Sequence, residues 1–386
     1  MREFVSQTVK AIKPSGIRKF FDIAKTIEGC ISLGVGEPDF PTPWHITKEG
    51  IYALEKGYTF YTANQGLLEL RKQIAAFVER RYGASYSTDE IIVTAGASEA
   101  VDVCVRSVVN PGEEVIVLEP GYVCYEPDVL LAGGVPKTIR LKAENEFRIT
   151  PEELLEAITD RTKAVILNYP NNPTGAIMGK EDLEKIAKVF IERDILCISD
   201  EIYGELTYGS THVSIASIPG MKERTLLING FSKAYSMTGW RLGYIAGPEA
   251  IISQAKKIHQ FSIMSAPTIS QYAGIEALKN GDADIETMRE EYDRRRKYLL
   301  AEFKRLGLPC FEPRGAFYIF PDIRKYGMTS EEFCLNLMYK EKLVVVPGTA
   351  FGSSGEGFIR ISYAYSLDAL KEAIVRLERY FKRISQ

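Results

Sequence analysis

The sequence predicts an α/β fold, with a large domain built on a mainly parallel sheet and a smaller α+β domain. Between about 90 and 250, short apolar runs alternate with amphipathic stretches, and the runs are unbroken and β-branched. From about 280 the texture changes to a strongly charged helix followed by short apolar runs. Alternation of strand and helix is typical of a parallel sheet covered by helices, and uniformly apolar strands are buried on both faces.

The predicted elements follow in order along the chain. The strands of the large domain are IIVTAG, EVIVLEP, KAVILNYP, ILCISDE, TLLINGFSK and RLGYIAG, with helices from Ser98 and Lys180. The stretch MREEYDRRRKYLLAEFKRL is predicted as a helix, and GAFYIFPDI, VVVPGTAF and FIRISYA belong to the smaller domain. We expect an N-terminal arm with part of the small domain in 1–45, the large domain in 46–280 and the small C-terminal domain in 281–386.

The composition excludes several classes of function. A formal net charge of -3 argues against non-specific nucleic-acid binding, which needs clustered basic surface. No apolar run approaches the roughly 18 residues of a membrane helix, and the basic N-terminus lacks the apolar region of a signal peptide. Six cysteines without CxxC spacing are typical of reduced thiols and indicate neither zinc nor disulfides. We therefore expect a cytoplasmic protein without metal, membrane or nucleic-acid partners.

Polar side chains follow three of the predicted strands. NYPNNPTG follows KAVIL, DEIY follows ILCIS, and GFSK follows TLLIN. Ligands of open α/β sheets bind outside the carboxyl ends of the strands. The sequence therefore predicts that Asn172, Asp200, Tyr203 and Lys233 meet at one edge of the sheet.

This set of side chains fits an aldehyde-bearing, phosphorylated heteroaromatic guest. A lysine amine condenses with carbonyls once its pKa is lowered, and a carboxylate such as Asp200 keeps a pyridine nitrogen protonated. Arg241 offers a bidentate fork for phosphate, and the GAS turn at 96–98 opens a helix whose N–H groups favour an anion. Taken singly, Lys233 could equally be a surface lysine, Asp200 a helix cap and NNPTG a turn. Together they indicate pyridoxal 5'-phosphate.

The sequence also resembles the class I/II aminotransferases, which are fold type I PLP-dependent enzymes. The resemblance spans nearly the whole chain and is carried by LGVGEPDF (33–40), YTANQGLLELR (61–71), TAGASEA (94–100), NYPNNPTG (168–175), SDEIYGEL (199–206), NGFSKAYSMTGWRLGY (229–244), GAFYIFP (315–321) and GFIRISYA (357–364). The resemblance implies the PLP-dependent transferase fold. Within the family, the sequence is similar to the aspartate, aromatic and N-acetyl-diaminopimelate aminotransferases.

The resemblance also implies roles for single residues. Lys233 would bind the cofactor aldehyde and move a proton between the substrate Cα and the cofactor C4', while Asp200 would pair with the pyridine nitrogen. Tyr203 joins them as a catalytic residue because it would hydrogen-bond the ring oxygen O3'. The other implied cofactor contacts are Asn172 at O3', Tyr122 on the ring face, and Ala97, Ser98, Ser232 and Arg241 at the phosphate.

Substrate and partner contacts follow from the same resemblance. Arg360 would bind the substrate α-carboxylate, assisted by Gly36 and Asn172. Tyr61 would reach the phosphate of a partner subunit, which implies a homodimer with shared active sites. One departure from the family is Gly230, where relatives often carry serine, so the share of Ser232 in phosphate binding is open.

The implied reaction is a ping-pong transamination from an L-amino acid, aromatic or aspartate-like, to a 2-oxo acid, with 2-oxoglutarate as the expected acceptor. Residues near Ser15, Gly16 and Ile17 are expected to form part of the side-chain pocket. An N-acetyl-diaminopimelate aminotransferase and a C–S β-lyase on the same fold are the alternatives. A non-catalytic PLP-binding regulator is disfavoured, because it would carry a DNA-binding domain for which we expect no room before LGVGEPDF.

Overall fold

The computed structural model describes residues 3–14, 16–24 and 27–384, so Ser15 lies outside the described residues. The helices are α1 (Gln7–Ala11), α2 (Gly16–Ala24), α3 (Trp44–Glu55), α4 (Leu68–Tyr82), α5 (Ala97–Val108), α6 (Tyr125–Leu131), α7 (Pro151–Ala157), α8 (Lys180–Glu192), α9 (Glu249–Ile263), α10 (Thr268–Asn280), α11 (Asp282–Arg305), α12 (Ser330–Glu341) and α13 (Leu367–Ile384). The strands are β1 (Ile31–Ser32), β2 (Ile91–Thr94), β3 (Glu114–Glu119), β4 (Val135–Arg140), β5 (Thr162–Asn168), β6 (Leu196–Asp200), β7 (Thr225–Gly230), β8 (Gly243–Ala246), β9 (Tyr318–Ile319), β10 (Leu343–Val344), β11 (Val346–Pro347) and β12 (Ile359–Ser362).

The main sheet has the strand order β2-β8-β7-β6-β5-β3-β4. Strands β3 to β7 pair in parallel, and β8 is antiparallel to both of its neighbours. This confirms the predicted α/β fold with a mainly parallel sheet. Strand β4 was not predicted, because VPKTIR lies at the sheet edge, where proline and charged residues replace a continuous apolar run.

Strands β5 and β6 end at the same level of the sheet, and β7 extends two residues further. Asn168, the last residue of β5, is paired with Asp200, the last residue of β6, and Asp200 is paired with Ile228 of β7. Their side chains are buried on both faces of the sheet, apart from the first residues of β5 and β6. Because the strands are parallel, the residues that follow them emerge on one edge, as the sequence predicted.

The C-terminal part contains two small sheets. Strands β11, β12 and β9 form an antiparallel sheet, and β1 from the N-terminal segment pairs with β10. The N-terminal segment therefore contacts the C-terminal part through this strand pair. Helix α11 begins at Asp282, but the domain boundaries at 45 and 280 stay a prediction. None of the described helices is long and apolar enough to cross a bilayer.

Candidate active site

A cavity of about 320 Å³ lies beyond the carboxyl ends of β5, β6 and β7. Every residue predicted to bind cofactor or substrate lines it except Tyr61, while Gly16, expected in the side-chain pocket, does not line it. The lining residues are Ile17, Val35, Gly36, Glu37, Ala97, Ser98, Val101, Tyr122, Tyr125, Asn168, Asn172, Asp200, Ile202, Tyr203, Ser232, Lys233, Thr238, Arg241, Tyr318 and Arg360.

Lys233 lies in the turn that follows β7. Its Nζ donates a hydrogen bond of 2.7 Å to the carbonyl oxygen of Gly36. Burial lowers its pKa from 10.5 to about 8; Glu37 raises it, and the positive charges of Arg360 and Arg241 lower it further. At neutral pH the unprotonated amine, which is the form that reacts with an aldehyde, is therefore far more populated than for an ordinary lysine.

Asp200 ends β6 and is only 4% exposed. Its carboxylate accepts hydrogen bonds from the Tyr125 hydroxyl at 2.7 Å and from the backbone N–H of Ile202 at 3.2 Å. Burial raises the pKa of Asp200 from 3.8 to about 6, although the two hydrogen bonds lower it. No basic side chain among the described residues forms an ion pair with Asp200, so a cationic ring nitrogen in the cavity would supply the counter-charge.

An anion-binding corner lies on the other side of the cavity, at the start of α5. Gly96 has a φ of +86°, and a Cβ atom there would lie 2.5 Å from the Arg241 guanidinium. Only glycine combines this backbone conformation with so close an approach. Ala97 and Ser98, in the first turn of α5, line the cavity together with Ser232. A helix N-terminus beside an arginine fork favours a phosphate group.

The glycine at 230 has a steric reason in this structure. It is paired with Gly243 across β7 and β8, and a Cβ atom at Gly230 would lie 2.9 Å from the Leu242 carbonyl oxygen. There is no room for a serine side chain. Ser232 is then the hydroxyl of this segment that lines the cavity.

Three further predicted residues surround the space between Asp200 and Lys233. The backbone N–H of Asn172 donates to the Asn168 side chain at 3.0 Å, which fixes the NNPTG turn. The hydroxyl of Tyr203 lies 2.8 Å from that of Tyr318. Tyr122 meets Tyr125 edge to face with ring centroids 5.8 Å apart.

Arg360, on β12, is a buried cation that is only 2% exposed. Its guanidinium donates to the Asn172 side-chain oxygen at 2.9 Å and to the carbonyl oxygen of Gly34. Its Nε has no hydrogen-bond partner, and no carboxylate of the described part of the chain pairs with it. An uncompensated buried guanidinium is costly, so this position fits the carboxylate of a small ligand.

Tyr61 is the predicted site residue that the structure does not bring into the cavity of its own chain. Its side chain is 80% exposed, and its contact with a partner subunit stays a prediction. Ile17, from the predicted side-chain wall, does line the cavity.

Sequence reasoning missed several lining residues. Tyr125 lies in EPGYVCYEP (119–127) and Tyr318 in the motif GAFYIFP, but nothing in the sequence marks them out from the other 19 of the chain's 21 tyrosines, most of which are expected to pack. Glu37 and Thr238, whose side chains are 3.4 Å apart, likewise lie in quoted motifs. Three-dimensional contact is what distinguishes these four residues.

The residues present fit pyridoxal 5'-phosphate. The Lys233 amine, with its lowered pKa, matches the cofactor aldehyde. The buried Asp200 carboxylate, which has no cationic partner among the described residues, matches the pyridine nitrogen. The anion-binding corner of Gly96 and Arg241 matches the phosphate. No cluster of three or more His, Cys, Asp or Glu suited to a metal ion occurs within 3–14, 16–24 and 27–384.

The chain is similar to known aminotransferases over nearly its whole length. Residues 28–377 match the family described as "Aminotransferase class I and II". The chain is 50% identical to the "Putative aminotransferase YugH" of Bacillus subtilis, over 99% of this chain and 100% of that protein. It is 44% identical to an aspartate aminotransferase of Pyrococcus abyssi, over 98% of each.

A solved structure gives the same result for the fold. The crystal structure of an aromatic aminotransferase from Pyrococcus horikoshii superposes with a TM-score of 0.90 at 45% identity, covering 94% of this chain and 99% of that one. The cofactor of the family is pyridoxal 5'-phosphate, and its substrates are amino acids and 2-oxo acids. The chain therefore belongs to the class I and II aminotransferase family and is a PLP-dependent aminotransferase with the fold type I architecture.

Proposed function

We propose that this aminotransferase prefers aromatic amino donors, that 2-oxoglutarate is its acceptor, and that Lys233, Asp200 and Arg360 carry the reaction. The observation that supports these roles most strongly is the convergence of the three side chains on one cavity. Asp200 and Arg360 are buried there without an ion partner among the described residues. A ligand with a cationic ring and a carboxylate matches both charges.

Each residue has a distinct part in the proposed reaction. The bound cofactor supplies a ring that accepts electrons from the substrate Cα. Asp200 holds the proton on the ring nitrogen, and Arg360 with Asn172 binds the substrate α-carboxylate, which orients the Cα–H bond. Lys233 would hold the cofactor aldehyde and, as general acid and base, would move the proton from the substrate Cα to the cofactor C4'. The backbone N–H groups of α5 and Arg241 hold the phosphate end.

The choice of donor rests on the charges of the cavity wall. Its cations are Lys233, Arg241 and Arg360 among the described lining residues, and the proposal assigns each of them to another task. No described arginine or lysine is left for the side-chain carboxylate of aspartate, while Glu37 would repel it. Ile17, Val35 and the tyrosines offer apolar and aromatic contacts instead. These features favour phenylalanine or tyrosine as donor.

The proposed acceptor, 2-oxoglutarate, carries a second carboxylate, for which the cavity wall offers no further cation. We expect a higher KM for it than for the 2-oxo acid of phenylalanine. N-acetyl-diaminopimelate transamination and C–S β-elimination remain the alternatives, since they use the same lysine, aspartate and arginine.

We also propose a homodimer with shared sites. Large apolar side chains are exposed on the described chain, including Phe60 at 80%, which is next to Tyr61 in the sequence, Trp44 at 70% and Phe261 at 86%. Exposed apolar surface of this kind is typical of an interface. Tyr61 would lie in such an interface, where it reaches the partner's phosphate. A cytoplasmic location, which rests on the scattered thiols, stays a prediction.

The test is a donor screen with the purified holoenzyme. Phenylalanine, tyrosine, aspartate, N-acetyl-diaminopimelate and a cysteine conjugate are compared at saturating 2-oxoglutarate, and the conjugate also without acceptor. We expect kcat/KM for phenylalanine to exceed that for aspartate by roughly tenfold or more, and Glu37→Gln to narrow this ratio. An aspartate preference would contradict the aromatic assignment, and pyruvate release without acceptor would indicate the β-lyase.

A further inference from the structure

Tyr318 touches three parts of the proposed site at once. It lies on β9, where it pairs with Ser362 of β12, and it is 1% exposed. Its hydroxyl lies 2.8 Å from the hydroxyl of Tyr203. Its ring centroid lies 4.4 Å from the guanidinium carbon of Arg360. One side chain therefore joins the residue proposed for O3' to the residue proposed for the substrate carboxylate.

The position of the Tyr318 hydroxyl is fixed by its surroundings. A Cβ atom at Gly36 would overlap this hydroxyl, so only glycine at that position lets the phenol approach the main chain. The same glycine accepts the hydrogen bond of Lys233 through its carbonyl oxygen. The phenol is thus held between the Gly36 backbone and Tyr203, close to the lysine.

The number of hydroxyl hydrogens on Tyr203 and Tyr318 determines what their contact can do. Each phenol has one hydrogen, so a bond between two hydroxyls uses one hydrogen and leaves the other for a third group. When Tyr203 donates to an anionic oxygen in the cavity, its own oxygen is free to accept from Tyr318. The donated bond polarises the Tyr203 hydroxyl and makes it a stronger donor.

The ring of Tyr318 acts on Arg360 by a separate route. The guanidinium lies 4.4 Å from the Tyr318 ring centroid and 4.6 Å from that of Phe351, and it is buried without a carboxylate partner in the described chain. The negative ring face stabilises a desolvated cation and holds its plane. This contact needs the ring and not the hydroxyl.

Resting on the proposed function, we propose that Tyr318 is a positioning residue with two separable actions. Its hydroxyl donates to Tyr203 and so strengthens the hydrogen bond from Tyr203 to the cofactor O3'. Its ring face holds Arg360 in place for the substrate carboxylate.

The two actions are separated by Tyr318→Phe and Tyr318→Leu in the holoenzyme. A hydrogen bond donated to O3' favours its deprotonated form, so a weaker Tyr203 donor raises the pH at which the visible absorbance of the bound cofactor titrates. Tyr318→Phe is expected to raise this midpoint by about 1 pH unit and to leave KM for the amino acid within about twofold. Tyr318→Leu is expected to give the same midpoint and a KM raised roughly tenfold.

The matched control is Tyr363→Phe. Tyr363 is fully buried in the same part of the molecule, and its hydroxyl donates to the Ala316 carbonyl oxygen at 3.1 Å, but it does not line the cavity. This variant loses a buried hydroxyl and is expected to leave both the midpoint and KM unchanged. A midpoint shift equal to that of Tyr318→Phe would overturn the inference, since it would mark a general effect of destabilisation.

A double-variant cycle separates failure of this inference from failure of the proposed function. If Tyr203→Phe shifts the midpoint, we expect Tyr318→Phe to add nothing in its background, because the action passes through Tyr203. If Tyr203→Phe shifts the midpoint and Tyr318→Phe alone does not, the inference is wrong and the assignment of Tyr203 stands. If neither variant shifts it, both are wrong. Equal KM values for Tyr318→Phe and Tyr318→Leu would overturn the action on Arg360.

Discussion

The two walls of the cavity are built in different ways. The strand-end wall holds Asp200, the last residue of β6, and Lys233, which lies in the turn after the parallel strand β7. The carboxylate wall holds Gly36, Tyr318 and Arg360, which come from the N-terminal segment and from two short strands of a separate sheet. One wall is a product of sheet topology. The other depends on contacts between segments more than 300 positions apart, such as that of Arg360 with Gly34.

The two walls also carry unmatched charges of opposite sign, the Asp200 carboxylate on the strand-end wall and the Arg360 guanidinium on the carboxylate wall. Burial raises the pKa of Asp200 to about 6 and lowers the pKa of Lys233 to about 8. Burial likewise lowers the pKa of Arg360. In each case desolvation opposes the charged form. The difference teaches that the ligand, and not the protein, supplies both counter-charges, so each wall is expected to respond separately to substitution.

The largest loss of activity is expected for substitution of Lys233, because no other residue of the strand-end wall can take over its role. Lys233→Ala removes the amine that binds the cofactor aldehyde and moves the proton, so kcat should fall on the order of 10⁴-fold or more. The visible absorbance of the covalently bound cofactor should be lost with it. Spectra and steady-state rates of the variant check this, and normal turnover would contradict the assignment.

The next largest effect is expected on the carboxylate wall. Arg360→Gln removes the fork and charge that bind the α-carboxylate, so kcat/KM for both amino and oxo acid should fall on the order of 10³-fold. The cofactor absorbance should be unchanged, because the strand-end wall is intact. Arg360→Lys keeps the charge without the planar fork and should lose less activity. Loss of cofactor in either variant would show that the walls are not separable.

The third prediction concerns stability without cofactor. The pKa of Asp200 is raised from 3.8 to about 6 by burial, so the folded chain binds this proton more tightly than the unfolded chain. The ionised carboxylate therefore costs stability above pH 6, and the cost disappears as the pH falls towards 3.8. Asp200→Asn should stabilise the cofactor-free protein by about 3 kcal/mol at pH 8 and hardly at pH 4.

Urea unfolding of the cofactor-free proteins between pH 4 and 8 measures this difference. Asp160→Asn, at an exposed position, is the matched control, for which we expect no comparable pH dependence. Equal stabilisation at both pH values would show that the charge is not the cause. With cofactor bound, the wild-type protein should be more stable than Asp200→Asn, because the ring nitrogen then pairs with the carboxylate.

The smallest effect is expected at Tyr125. Tyr125→Phe removes the 2.7 Å hydrogen bond to Asp200, which should weaken support of the carboxylate by about 1.5 kcal/mol and reduce kcat/KM roughly tenfold. The pKa of Asp200 should rise further, since the bond favours its ionised form. The pH profile of kcat should therefore lose activity at its acidic side at a higher pH than in the wild type.

Most of the strand-end wall could be predicted from the sequence. The runs that end before Asn172, Asp200 and Lys233 are apolar and buried, and parallel pairing brings their ends together. The edge strand β4 could not be predicted, because five of its six residues are exposed or half-exposed and it lacks a continuous apolar run. Tyr125 and Tyr318 could not be separated from packing tyrosines, because their roles depend on partners distant in sequence.

Gly96, Gly230 and Gly243 are in close contact with one another beside the anion-binding corner at the start of α5. A Cβ atom at Gly243 would lie 2.7 Å from the Gly96 carbonyl carbon, and one at Gly230 would lie 3.0 Å from the Gly243 Cα. Attempts to redesign donor choice should therefore leave these three positions untouched and randomise Ile17 and Val35 instead. Libraries that vary the glycines are expected to be dominated by clones that no longer retain the coenzyme.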